Sequence, residues 1–169
     1  MLLKRQDFLP SRKLSSPLFC RSSAVAHNPL LYNYFYYQME LHLKIIGTLL
    51  IVLALLHISF PKYFNWKQDL SSVSIINRQV MYIHSFFIAL IVFLMGLLCQ
   101  TSSDEILNTV LGKRIALGLG VFWTMRLIIQ FFGYSAKIWK GKAFETTVHI
   151  LFSIFWIYLS IIFNLIYFG

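Results

Sequence analysis

Residues 144–169 read FETTVHILFSIFWIYLSIIFNLIYFG, a run apolar enough for lipid that His149, Ser153, Ser160 and Asn164 nevertheless interrupt at intervals of four and seven residues. At about 100° per residue, Glu145, His149, Ser153, Trp156, Ser160 and Asn164 fall on roughly one third of a helix circumference. Hydrocarbon offers such groups no hydrogen-bond partner, so the polar stripe is expected to face protein. A helix that is oily on one side and polar on the other, and long enough to cross a bilayer, implies a bundle.

Working outward, runs at 41–60, 80–100 and 113–133 join 147–168 as apolar segments, each near the ~20 residues that a helix needs to span ~30 Å of hydrocarbon. None alternates in polarity, which excludes barrel strands of about 10 residues. Composition agrees: 58% of the 169 residues are hydrophobic and 12% charged, with a mean hydropathy of +0.69, whereas a soluble domain is about one quarter charged. The expected fold is all-α, an integral membrane four-helix bundle occupying residues 39–169 as one domain, with the lipid bilayer as its first partner.

The net charge of +9 does not indicate nucleic acid, because the basic residues lie at segment ends and in loops instead of along one stripe. Cys20 and Cys99 are too far apart in sequence to define a disulfide framework or a metal knuckle. Residues 1–38, beginning MLLKRQDFLPSRKLSSPLFCRSSAVAHNP, mix Arg, Lys, Ser and Pro with the single acid Asp7. They read as a basic, disordered extension, as a transit peptide, or as translated sequence upstream of a start at Met39. The last is favoured, since MELHLKIIGTLLIVLALLH opens like a short bacterial membrane protein.

That start controls topology. Let side A be the amino-terminal side and side B its opposite, carrying loops 61–79 and 134–146. Counted from Met39, side A has Lys44, Lys113 and Arg114, and side B has Lys62, Lys67, Arg78, Lys137, Lys140 and Lys142. The positive-inside rule then makes side B cytoplasmic in a cell membrane. Lys4, Arg5, Arg12, Lys13 and Arg21 reverse the balance if they are present. In loop 61–79, Tyr63, Trp66, Leu70 and Val73 suit a short helix in the headgroup layer, with Trp66 and Trp139 in an aromatic belt. In TSSDEILNTVLGKR, Ser102 or Ser103 is offered as a helix cap ahead of Asp104 and Glu105.

Depth brings polar groups from four segments together. His57 near the end of helix 1, His84 near the start of helix 2, Gln130 near the end of helix 3 and His149 at the start of helix 4 lie within about one turn of a common level. Arg126 is a turn deeper, where insertion costs about 2.5–3.5 kcal/mol at a helix centre; its partner would be Glu145, an anionic ligand, or carbonyls of a neighbouring helix. Lys44, one turn inside helix 1, is expected to snorkel to side A. His27 and His42 lie outside the layer and are read as ordinary packing residues. Ala116 and Gly120 form a small-xxx-small packing contact.

Three functions fit these residues. The first is a small accessory or structural membrane protein whose polar layer holds the bundle together, alone, as a homo-oligomer or with a partner membrane protein. The second is a haem- or divalent-metal-binding redox bundle using His57, His84 and His149, with Glu145 reaching the same ion from one turn before His149. The third is a carrier or pocket for a small anionic or quinone-like ligand, with Arg126, Gln130 and Ser153 as its polar contacts. LHISFPKYFNW followed by NRQVMYIHSFFIALIVFLMGLL resembles the small four-helix bacterial membrane proteins of the DoxX-like kind over helices 1 and 2. The resemblance implies a four-helix fold and a bacterial inner-membrane location, and it transfers no catalytic residue.

Overall fold

The computed structural model describes residues 29–133 and 142–169. Their elements are α1 (Pro29–Tyr63), α2 (Trp66–Asp69), α3 (Ile75–Thr101), α4 (Ser103–Asn108), α5 (Val110–Phe132) and α6 (Ala143–Phe168), and no strand occurs among the described residues. The helices α1, α3, α5 and α6 are long and apolar enough to cross a membrane. The chain is an all-α, multi-pass membrane bundle. Cys20, His27 and the basic residues before Pro29 lie outside the described residues, as do Lys137, Trp139 and Lys140.

Every long helix begins earlier than its apolar run. Polar residues end hydrophobicity but not helicity, and caps set the true starts. Ser74 accepts a hydrogen bond from the Asn77 amide to open α3, and the Thr109 hydroxyl accepts from the Gly112 amide at 2.8 Å to open α5. The cap expected at Ser102 is different: Ser102 occupies the N-cap position of α4, but its side chain makes no capping bond. Ser103 is buried inside that helix.

The largest difference is in α1, which starts at Pro29 instead of about 41. Its 35 residues make a rod of roughly 52 Å. Residues 29–38, read from sequence as part of a disordered extension, are therefore helical, and they are tied to the bundle. The Tyr36 hydroxyl donates to Asp104 at 2.6 Å, and the Tyr32 hydroxyl donates to Asn108 at 3.4 Å. Tyr36→Phe removes only the charge-assisted bond and is expected to cost about 1–2 kcal/mol in thermal unfolding of the detergent-solubilised protein. Tyr34→Phe, at an exposed ring, should change little.

The helix expected over Tyr63–Val73 is cut short. Tyr63 closes α1, Asn65 takes a left-handed conformation (φ 48°), and α2 is one turn of four residues. Asparagine tolerates that backbone and breaks the run. Trp66 instead sets its ring against Tyr82 on α3 at 5.4 Å.

The bundle is two hairpins. α1 packs along α3 and α5 along α6, while contact between the hairpins is sparse. The first pair closes where Gly47 and Gly96 face each other; a Cβ on Gly96 would lie 2.9 Å from the Gly47 carbonyl oxygen. Leu43, Ile46, Leu50, Leu53 and Ala54 of α1 are buried along this seam with Val92 and Cys99 of α3. In the second pair Trp123 and Trp156 stack with centroids 5.0 Å apart and planes at 10°. Ala116 is buried and Gly120 lies against the Asn164 side chain, the close packing that the small-xxx-small spacing calls for.

The hairpins are joined toward side A. His42 Nδ1 and the Tyr158 hydroxyl are 2.8 Å apart, linking α1 to α6, and the Tyr32 and Tyr36 bonds link α1 to α4. Lys44 reaches toward the side-A end of α3, in the direction expected. Because α1 starts at Pro29, Lys44 lies about four turns along it and donates to the Gln100 carbonyl at 3.1 Å. The Gln100 amide returns bonds to the Lys44 carbonyl at 2.8 Å and to Thr48 Oγ1 at 2.7 Å. The ammonium thus satisfies a carbonyl at the end of α3 that has no intrahelical donor.

Candidate functional site

Fastening at side A leaves a cavity toward side B. It encloses about 430 Å³ and takes lining residues from all four long helices, a volume within the ~300–1,000 Å³ typical of small-molecule sites. α1 contributes Leu53, His57, Phe60 and Tyr63, and Phe64 follows directly after it; α3 contributes Ile88 and Val92; α5 and α6 bring Phe122, Trp123, Phe144, Phe152 and Trp156. The polar groups in this wall are His57, Arg126, Gln130, Glu145 and His149. The common level read from helix lengths thus places five of the seven expected site residues in one cavity.

Three of them form a directed chain. Arg126 Nη1 donates to Gln130 Oε1 at 3.0 Å, and Gln130 Nε2 lies 2.7 Å from His149 Nδ1. With the Gln130 oxygen accepting from arginine, its amide nitrogen donates to His149, so Nδ1 is the acceptor and Nε2 carries the ring hydrogen. Gln130 is only 6% exposed, and this bonding to both sides is what makes its burial tolerable. The Arg126 guanidinium also lies 5.0 Å from the centroid of the Trp156 ring, where the aromatic face stabilises a cation.

Four expectations are corrected. His84 does not line the cavity; α3 leans on α1, and the half of α3 that carries His84 is exposed, at the height where Trp66 meets Tyr82. Ser153 is buried but also lies outside the cavity wall, because its hydroxyl turns back to the His149 carbonyl at 2.8 Å. Glu145 is not the partner of Arg126: it lies 3.7 Å from Lys142, one turn back on its own side of the bundle. The metal set His57, His84, His149 and Glu145 is not assembled, since no three His, Cys, Asp or Glu side chains among the described residues form a group able to hold a metal ion. His57 Nδ1 is bonded to its own helix at the Leu53 carbonyl, 2.7 Å away.

The polar stripe of α6 does face protein, but not through the expected cross-helix network, and Trp156 Nε1 and Ser160 Oγ are buried without a hydrogen-bond partner among the described residues. Ser153 and Asn164 bond carbonyls one turn back on the same helix. His149 alone of the stripe's hydrogen-bonding groups reaches the Gln130 side chain on α5. Sequence reading missed the role of Phe60, Phe64 and Phe144 as cavity wall, because aromatic residues in an apolar run give no sign of which side they occupy.

No family model, curated protein or solved structure matches this chain. The fold and the cavity define its class: a small multi-pass membrane protein with a polar-edged aromatic cavity set between two helical hairpins.

Proposed function

We propose that the protein binds, within the membrane, a small molecule that has an apolar body and an anionic or quinone-like acceptor head. The observation that carries this reading is the Arg126–Gln130–His149 chain set in the wall of an otherwise aromatic cavity. Arginine and a histidine Nε2–H are donors, matching carboxylate, phosphate or quinone oxygens. The aromatic rings supply apolar area for the body.

Thermal unfolding of the purified chain in detergent tests it, with decanoate and a tailless naphthoquinone as probes. At a probe concentration 100 times Kd, linkage predicts stabilisation of about 2.7 kcal/mol. Arg126→Ala should abolish the shift while the protein still unfolds cooperatively. An unchanged shift in the variant, or no shift with either probe, would remove the reading.

A structural or accessory role is the second reading, favoured by the fact that the same chain bridges α5 to α6. Under it Arg126→Ala lowers the unfolding temperature and no probe alters it. The likeness of helices 1 and 2 to DoxX-like proteins supports placement in a bacterial cell membrane. Loops 61–79 and 134–146 then face the cytoplasm when synthesis starts at Met39, which reporter fusions at those loops would check.

A further inference from the structure

We infer that the ligand of this cavity carries a phenolic hydroxyl and donates it to His57 Nε2. This deepens the reading above, on which it rests for the cavity being a binding site. The first ground is the tautomer of His57. A carbonyl oxygen only accepts, so the 2.7 Å bond between His57 Nδ1 and the Leu53 carbonyl places the hydrogen of the neutral ring on Nδ1. Nε2 keeps its lone pair, across the ring from the backbone that Nδ1 is bonded to. His57 makes no other hydrogen bond among the described residues, and its ring is half-buried in the cavity wall. Hydrocarbon offers an acceptor there no donor, so a ligand hydroxyl gains most at this atom.

The second ground is that the imidazole is held still. Phe60, on the next turn of α1, lies against it with ring centroids 4.5 Å apart and planes at 36°. With one ring nitrogen bonded and an aromatic neighbour on the ring, the direction of Nε2 is set before a ligand arrives. The third ground is the surrounding surface, which distinguishes a phenol from an aliphatic alcohol. Phe64, Phe122 and Phe144 share the wall and are exposed, and such rings favour a planar aromatic body through offset and edge-to-face contacts. A phenol oxygen also accepts, as the head proposed above must. A quinone carbonyl only accepts and leaves Nε2 without a donor.

Two probes of nearly equal shape test this. The full chain in detergent is titrated calorimetrically with 2-naphthol and, separately, with 2-methoxynaphthalene, in which a methyl group replaces the hydroxyl hydrogen. The expected result is a Kd about fivefold lower for 2-naphthol, the worth of one hydrogen bond. His57→Phe, which keeps an aromatic ring beside Phe60 but has no ring nitrogen, should bring the two Kd values together. A second measurement needs no variant. In the parent chain carrying nitrogen-15 histidine, 2-naphthol should move the NMR resonance of the unprotonated Nε2 of an Nδ1–H ring, and 2-methoxynaphthalene should leave it in place.

No binding of 2-naphthol, equal Kd values in the parent chain, an undiminished preference in His57→Phe, or an Nε2 resonance that 2-naphthol does not move would overturn the inference. Should that happen while decanoate or the tailless naphthoquinone still stabilises the protein, the hydroxyl-bearing class is wrong and the binding cavity stands. Should none of the four probes bind, both readings fall.

Discussion

Gly112→Ala is expected to abolish recovery of folded protein. Gly112 sits in the first turn of α5, directly after the short α4, in a helical backbone that any residue can adopt. The constraint is space: an added Cβ would overlap the carbonyl oxygen of Glu105 and stand 2.5 Å from the Ile106 Cα. Those are backbone atoms, so no side-chain rotation relieves the clash. The α4–α5 turn would have to open, releasing the Thr109 cap and buried Ile106 together. A cost of about 3 kcal/mol or more follows, a large share of the stability of a domain this size. Gly118→Ala is the control, since nothing lies within 4 Å of its added Cβ; it should be neutral or gain up to about 1 kcal/mol from helix propensity. Yield of monodisperse protein after detergent extraction distinguishes the two. Equal yields would show that the turn can move without loss.

Gly96→Leu should separate the first hairpin and, with it, remove one wall of the cavity. A Cβ at this position would already lie 2.9 Å from the Gly47 carbonyl oxygen and 2.9 Å from Ile51 Cγ1, and a leucine adds three more carbons to the same seam. In lipid the helices are not driven together by hydrophobicity, so close backbone approach supplies much of their attraction. The expected loss is about 2–3 kcal/mol. Val92 lies one turn from Gly96 on the same helix and lines the cavity. Displacing α3 should therefore also weaken the probe-dependent stabilisation, beyond the fall in unfolding temperature. A variant with lowered stability but intact probe binding would mean that α3 is not a necessary wall.

His84 shows where linear reading stops. Its depth follows from the end of an apolar run, and α3 begins earlier than that run, at Ser74-capped Ile75. α3 leans on α1, so His84 lies on the exposed half of its helix, at the height of the Trp66–Tyr82 contact. Helix rotation was a second unknown. The nearly uniform apolar surface of α1 carries too weak a periodicity to say which side meets a neighbour, whereas α6, with its polar stripe, announced its face.

The amino-acid sequence by itself determined that this chain crosses a membrane on four helices, that the striped side of α6 is turned to protein, and that Gln130 and His149 share a depth with Arg126 one turn beyond them. Those properties follow from hydrocarbon thickness, helical periodicity and the cost of unpaired polar groups in lipid, all of which act along a single helix. Only the tertiary structure decided that two hairpins linked at His42 and Tyr158 enclose a cavity between them, with His57 in its wall and His84 outside it. Such choices depend on how surfaces of different helices fit, on a glycine pair here and an aromatic stack there. No local pattern encodes them.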